Sequence, residues 1–589
     1  MARKQLPARL DDLRGRLSIL RLYDMSGGLN TATDPTLLLE SESPDMLNCH
    51  NTQEGALVKR EGFSKYNATT LGSGKIQGAK KFYTVAGTEH VLAVHGGKIY
   101  VDDLGTGAFI TEKTIAAAGI PGVSRATNVV TVTTTATHGF AVGQYVTIAG
   151  VTDASFNGTF AIATTPAANT FTYAQTAANG TSGGGTATGT YYATGLNATN
   201  DYDFEQAVLS GTEIMIISDR AGNLQKYNGT AVSQLAARTG ALPRWHKERL
   251  FVVDPTDWAT VYASKTLDPS DFTTIANDPD TDPYNYTVGK GDGDVITGME
   301  IINDQLVIFK RKRIAVAFSS EDTNNVTNEW APAGVGCTSR RGIGMYQGKA
   351  YFPAEDGVYT FDGSLVEKIS DKIQPTYDSI GNLTTIVGEC YNGQYFMSYT
   401  PAGGSANTKT LVYDIDSRSW WPYSGFTISD WMLMDKGNDA FELYGCDGAN
   451  GFIYKMFDGT TDAGAAIDFY WVSKWIDYGA PERKKRQRKV YVQFEKTSEN
   501  VNVTFGYGYD FNTAFDSTII NTQGVSATLG GTGTFTLGTS VLGTGGEITN
   551  KVPVSGQKRW IRYKVSNNAA SAPVTFKGAA FYWKMKRPF

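Results

Sequence analysis

Hydrophobic and polar positions alternate along most of this chain, in short runs bounded by glycine. Four runs say nearly the same thing: GGKIYVDD (Gly96 to Asp103), GNLQKYNG (Gly222 to Gly229), DGVYTFDG (Asp356 to Gly363) and NGFIYKMFDG (Asn450 to Gly459). Each sets a Gly turn before a strand with an aromatic or aliphatic residue at every second place, and most close with Asp or Asn and Gly. Glycine supplies the positive φ of a tight turn, and period-two alternation is what a strand requires. Weaker copies are WATVYAS (Trp258 to Ser264), RKRIAVAF (Arg311 to Phe318) and KTLVYDID (Lys409 to Asp416). The strand centres are Ile99, Leu224, Val261, Ala315, Val358, Val412 and Ile453, and after the first gap they recur at about 37, 54, 43, 54 and 41 residues. A four-stranded propeller blade takes roughly 40–50 residues. Further strand-like runs stand upstream of several copies: EIMIISD (Glu213 to Asp219), QLVIFK (Gln305 to Lys310) and GKAYFPA (Gly348 to Ala354). That order fits inner strands followed by an outer hairpin. The pattern predicts an all-β chain built on a β-propeller of six or seven blades.

The first gap is about 125 residues and must hold an insertion. Residues 104–190 contain a Thr/Val-rich stretch with its own alternation, expected to form a small immunoglobulin-like β-domain. It ends in NGTSGGGTATG, read as a flexible linker. The propeller then occupies 67–103 and 191–460, and 465–589 reads as a C-terminal β-sandwich. Its strand candidates are DFYWVSKWID, KVYVQFEK, NVTFGYGYD, RWIRYKVSN and PVTFKGAAFYWKM, with alternating large aromatics that suit two packed sheets. Residues 1–66 are expected to form an N-terminal helix and an extended arm. Leu6, Leu10, Leu13, Leu17 and Leu20 follow one helix face. That helix either packs on its own domain or docks onto a neighbouring subunit. SPDMLNC offers one helical turn with Ser43 as N-cap.

Composition agrees with β structure: 19 % charged, 12 % aromatic and 65 Gly among 589 residues. The net charge of −5 argues against general coating of nucleic acid. The first residues lack the apolar core of a secretory leader and no run is long enough to span a membrane, so synthesis in a cytoplasm is expected. Cys49, Cys337, Cys390 and Cys446 are far apart and read as free buried thiols.

Searches for chemistry find little. Gly180 to Gly184 matches GxSxG, but without the strand and helix a nucleophile needs. GSGK at Gly72 to Lys75 is half a phosphate loop, with Ile76 where Ser or Thr should follow. The histidines make no metal-spaced pair, although His90 and His95 could converge across a hairpin. The acidic loop Asn277 to Pro283 fails the EF-hand pattern and leaves only a casual cation site. The Asp-box repeat of sialidase propellers is missing, and a carbohydrate-active enzyme is the least favoured reading. No catalytic residue, cofactor or metal is assigned. One charge feature remains: Arg483, Lys484, Lys485, Arg486, Arg488 and Lys489 put six cations in seven residues, directly before a strand. This is either a solvated loop or a contact for phosphate or an acidic subunit surface.

Gly27 to Asn30 (GGLN), Pro44 to Asn48 (PDMLN) and Arg60 to Phe63 (REGF) resemble, in that order, the N-terminal region of tailed-bacteriophage virion proteins that precedes a β-propeller. The stretches THGFAVGQYVTIAGV and FNGTF look like a small β-module of phage tail and decoration proteins, and Trp471 to Phe494 is similar to the start of the C-terminal domain in the same group. The nearest family is the podophage tail nozzle, or tail tubular protein B. The resemblance implies a non-enzymatic virion protein: a hexameric ring below the portal–adaptor complex that channels and gates double-stranded DNA during ejection, with tail fibres or spikes as neighbours. The alternative is a neck-collar or receptor-binding tail protein whose inserted domain mediates adhesion.

Overall fold

The computed structural model describes residues 18–586 except 103–104, 120–121, 274–280, 319–326, 333, 438–439, 498–500, 524–546 and 570–572. Seven antiparallel sheets follow one another along the described chain. Blade 1 is Ile76–Tyr83, Glu89–His95 and Lys98–Asp102, with Ala193 bridging Ile99 at its outer edge. Blade 2 is Asp203–Leu209, Thr212–Ser218, Asn223–Tyr227 and Val232–Thr239. Blade 3 is Ala241–His246, Arg249–Val253, Thr260–Ala263 and Tyr284–Thr287. Blade 4 is Ile296–Ile302, Gln305–Lys310, Ile314–Phe318 and Thr327–Trp330, and blade 5 is Gly344–Tyr346, Lys349–Pro353, Val358–Phe361 and Val366–Lys368. Blade 6 is Ile380–Tyr391, Gln394–Pro401, Lys409–Asp414 and Ser419–Ser424. Blade 7 joins Ile428–Asp435, Phe441–Asp447 and Ile453–Met456 to Phe63–Lys65 from the arm. Each of the seven centres from Ile99 to Ile453 lies in the third strand of its blade.

The blades pack face to face, which explains why their middle strands are apolar throughout. In Gln305–Lys310, Leu306 and Ile308 face blade 3 beside Phe251 and Val261, while Val307 and Phe309 face blade 5 beside Phe352 and Phe361. A strand covered on both faces reads as a continuous hydrophobic run. The ring closes where Met432, Met434 and Ile453 of blade 7 meet Ile76, Val91 and Ala93 of blade 1. The first strands of blades 7 and 1 also lie against each other, placing first strands nearest the axis.

All five C-terminal candidates contain strands: Phe469–Val472, Lys485–Glu495, Asn502–Tyr509, Ile561–Asn567 and Thr575–Met585. They form two sheets, and the arm supplies strands to both. Ser18–Leu22, Cys49–Asn51 and Leu57–Lys59 join the sheet of Lys485–Glu495, and Asp45–Leu47 joins the other through Phe469–Val472.

Four expectations are corrected. Leu20 is not helical: Ser18–Leu22 is a strand, with Leu20 opposite Phe581 of its own chain. Leu6, Leu10, Leu13 and Leu17 lie outside the described residues. SPDMLNC makes strand rather than helix, because Ser43 donates its hydroxyl to the carbonyl of Val472 (2.7 Å) and Met46 is buried. The Gly-rich end of the insertion contributes strands Gly180–Ser182 and Thr186–Gly189. The inserted domain is one continuous path of eight strands around Val130, Val146, Ile162, Phe171 and Tyr173, rather than two separate sheets. Gly158–Ala167 takes part in both halves of that path.

Candidate functional site

Among the described residues, polar side chains from elements distant in sequence meet at a clasp between propeller and sandwich and at the mouth of the propeller. The clasp is built by the arm. Asn48 has φ 54°, a left-handed conformation that Asn tolerates well. Its side chain donates to the Asp468 carbonyl (2.7 Å) and accepts from Arg60 Nε (2.9 Å) and from the Ser424 amide (2.8 Å). Arg60 forms a fork on Asp462, at 2.8 and 2.6 Å, and also donates to the Ser424 carbonyl at 2.6 Å. Both partners are buried, and burial raises the Asp462 carboxyl although Arg60 opposes that shift. Gly28, at φ +70°, lies against Trp420, and a Cβ there would meet the Trp420 carbonyl at 2.8 Å. A Cβ on Gly62 would meet the Thr461 carbonyl at 2.0 Å, so only glycine fits. Phe63 packs on Tyr454 and Phe426, with centroids at 4.5 and 6.0 Å.

The mouth lies where the first strands begin. A cavity of about 490 Å³ opens there, lined from blades 1, 2, 4, 5, 6 and 7. Arg341 occupies its floor. The guanidinium donates to the carbonyls of Gln77 (2.6 Å), Tyr202 and Ser429 (3.3 Å), and lies 3.6 Å from Asp430 and 3.8 Å from Asp201. Lys75 pairs with Asp201 at 2.6 Å. Arg220 pairs with Asp203, its Nε donating at 2.7 Å. Burial works against the Asp203 charge, yet Arg220 and Arg341 hold that carboxyl below its usual range. Burial pushes Asp430 up to about 6 against the pull of Arg341.

Two cations at the mouth have no ion pair among the described residues. Arg340 stacks on Trp258, 3.7 Å from the ring centroid. Burial, with Arg220 and Arg311 nearby, lowers its guanidinium to about 10. Arg311 stands on the rim with its backbone amide held by Asp294 (3.2 Å). Deeper along the axis Arg244 sits between Glu205 (3.7 Å) and Glu300, and burial pushes Glu389 up to about 7.

The basic run is not a loop. Strand Lys485–Glu495 begins inside it, and alternation divides its charges. Lys485 is buried and donates to the carbonyls of Ala480 and Arg559, and burial lowers its ammonium to about 8. Lys489 lies over the rings of Tyr491 and Tyr582, at 5.0 and 4.8 Å. Arg483 lies beside Met585 and Glu482. Lys484, Arg486 and Arg488 face outward, with Arg486 directly opposite Lys584 on the adjoining strand.

Ser182 of the GxSxG match is buried in a strand and accepts from the Asp153 amide (3.0 Å). His90 and His95 share one strand and do not converge; His90 meets Tyr227, and His95 meets the Ser73 carbonyl. Asn277 to Asp280 lie outside the described residues. Among the described residues no three His, Cys, Asp or Glu side chains could share a metal ion, and no helix is long and apolar enough to cross a membrane. All four cysteines are free and buried. The mouth was missed in the sequence because its residues are scattered between 75 and 448. The signal that could have found them is the repeat itself, since Arg220 and Arg311 each stand three residues before a third strand.

No family model and no curated protein matches the chain. Similar solved structures include the Neurospora crassa Pan2 WD40 domain, at 9% identity over 43% of this chain and 88% of that one, with a TM-score of 0.25. BBS1N in complex with ARL6DN matches at 15% identity over 44% and 92%, with a TM-score of 0.24. An exo-beta-1,3-galactanase from Phanerochaete chrysosporium matches at 8% identity over 64% and 95%, with a TM-score of 0.21. At these TM-scores the likenesses decide nothing, and the propeller rests on its own seven sheets.

Proposed function

We propose that this chain is a structural protein of a phage tail: a nozzle subunit that assembles as a homohexameric ring below the portal–adaptor complex and passes double-stranded DNA during ejection. One observation carries the reading. Several of the residues on which the resemblance to tail nozzle proteins rests are those of the clasp: Gly28, Asn48, Arg60, Gly62 and Phe63. Their role is to bind propeller and sandwich into one stiff block, which is what a subunit that bears pressure requires. A mildly acidic chain also suits a conduit, because strong phosphate contacts would stall moving DNA. Closed rings satisfy head-to-tail interfaces without free ends.

The test is native mass spectrometry and negative-stain microscopy of the full chain, with gold-labelled antibody against it on purified virus particles. Six-membered rings and label on the tail axis are expected. Monomers at micromolar concentration together with unlabelled particles would overturn the proposal, and label confined to peripheral fibres would replace it with adhesion.

A further inference from the structure

We infer that the propeller mouth is a binding site for a small hydroxylated anion, a sugar bearing a phosphate or a carboxylate, with its oxyanion on Arg220, Arg311 and Arg340. Size comes first. A cavity of about 490 Å³ is in the range of small-molecule sites and cannot admit a DNA duplex. Charge comes second. Five cations and one carboxylate line the cavity. Asp201 is taken by Lys75 and Arg341, Asp203 by Arg220, and Asp430 by Arg341. Arg311 and Arg340 are left without a carboxylate partner among the described residues, beside a third guanidinium. Asp203 compensates Arg220. Arg311 and Arg340 lack that compensation, Arg220 and Arg311 both disfavour the Arg340 charge, and an oxyanion among them removes that repulsion while accepting charge-assisted hydrogen bonds.

The cluster is preorganised. Trp258 fixes the plane of Arg340 by stacking, the Arg340 N–H edge has no hydrogen-bond partner among the described residues, and Asp203 fixes Arg220. The facing wall, from blade 6, is polar and uncharged. Thr385 and Thr400 hydroxyls lie 3.3 Å apart, Thr400 donates to Asn407 at 2.7 Å, and Asn407 donates to the Thr385 carbonyl at 2.7 Å. Hydroxyls that both donate and accept suit a polyol body. The inference is independent of the tail assignment, since it requires only the folded propeller.

Isothermal titration calorimetry of the full chain at low salt tests it, with glucose 6-phosphate, glucuronate, inorganic phosphate and glucose as probes. Binding of at least one sugar anion, tighter than inorganic phosphate and with no binding of glucose, is the expected result. The sugar that binds identifies the oxyanion. Arg311→Gln and Arg340→Gln should each weaken that binding about tenfold or more, and Lys484→Gln on the sandwich should not. Arg311 is on the rim, so its variant probes the site even where Arg340→Gln fails to fold. Silence with both sugar anions, equal binding of inorganic phosphate, or affinity unchanged in Arg311→Gln would overturn the proposal.

Discussion

At the residue scale, the clasp and the axis make opposite uses of buried charge. Arg60 and Asp462 satisfy each other, and Arg60 also donates to the Ser424 carbonyl, so removing one partner strands the other in a dry joint. Breaking such a pair costs about 3–5 kcal/mol, whereas replacing both partners by apolar groups is often neutral. Arg60→Ala should therefore lower stability by that amount in chemical denaturation, and Arg60→Met with Asp462→Leu should recover most of it. A single variant within about 0.5 kcal/mol of the parent would remove the clasp from the stability argument. Glu389 is the opposite case. Burial, with Glu300 and Asp430 adding to it, pushes its carboxyl up to about 7 from an ordinary 4.5, although Lys80 and the Cys390 amide oppose the shift. The folded chain then holds a proton that the unfolded chain releases between those values. Stability from this group is fully present below about pH 4.5 and declines as pH rises towards 7. Glu389→Gln should raise stability at pH 8 by on the order of 2 kcal/mol, read as a higher thermal midpoint, and leave the midpoint unchanged at pH 4.5. A midpoint shifted equally at both pH values would show packing rather than charge.

At the element scale, the insertion leaves and returns through paired strands. Thr111 lies opposite Gly189 at the foot of the domain, and its core shares no residue with the propeller core. Residues opposite one another in an antiparallel pair are close enough for a two-residue turn. Replacing residues 112–188 by Asn-Gly should leave a folded propeller, read as retained circular dichroism and a thermal midpoint within a few degrees. A collapsed midpoint would mean that blade 1 depends on the insertion for its outer edge at Ala193. The same elements show what the sequence could disclose. The clearest third strands were legible because they carry their own Gly turn, a local signal, as in Asn223–Tyr227 and Val358–Phe361. Blade 7 was not fully legible, because its outer strand, Phe63–Lys65, comes from the opposite end of the chain. Leu20 misled because it ends the leucine series but lies in the strand Ser18–Leu22, whose register follows its partner Thr575–Met585. The mouth was invisible for a similar reason: Lys75, Arg220 and Arg340 become neighbours only when the ring closes.

At the scale of the whole molecule, the outward basic row of the sandwich gathers like charges along one exposed edge. Arg486 stands directly across from Lys584, and like charges in that position are destabilising. Lys484 and Arg488 flank Arg486 on the same exposed stretch, with Arg488 at a shift of register. Strand alternation has already buried Lys485 and laid Lys489 on two tyrosines, so internal packing accounts for only part of the run. In the proposed ring, a surface that keeps repelling cations side by side, in a chain with a net charge of −5, would meet an acidic face of a neighbouring copy. Such a contact is screened by salt, because the Debye length falls from about 10 Å at 0.1 M to about 3 Å at 1 M. Lys484→Gln, Arg486→Gln and Arg488→Gln combined should leave the thermal midpoint of the subunit unchanged or slightly raised, since cross-strand repulsion is relieved. The same triple variant should move ring dissociation to about tenfold higher protein concentration and make it far less sensitive to salt, read by mass photometry from 0.1 to 1 M sodium chloride. Rings that dissociate alike in parent and variant would place the subunit contact elsewhere and leave the basic row free to meet phosphate, which retention of the parent chain on duplex DNA at 0.1 M salt would then reveal.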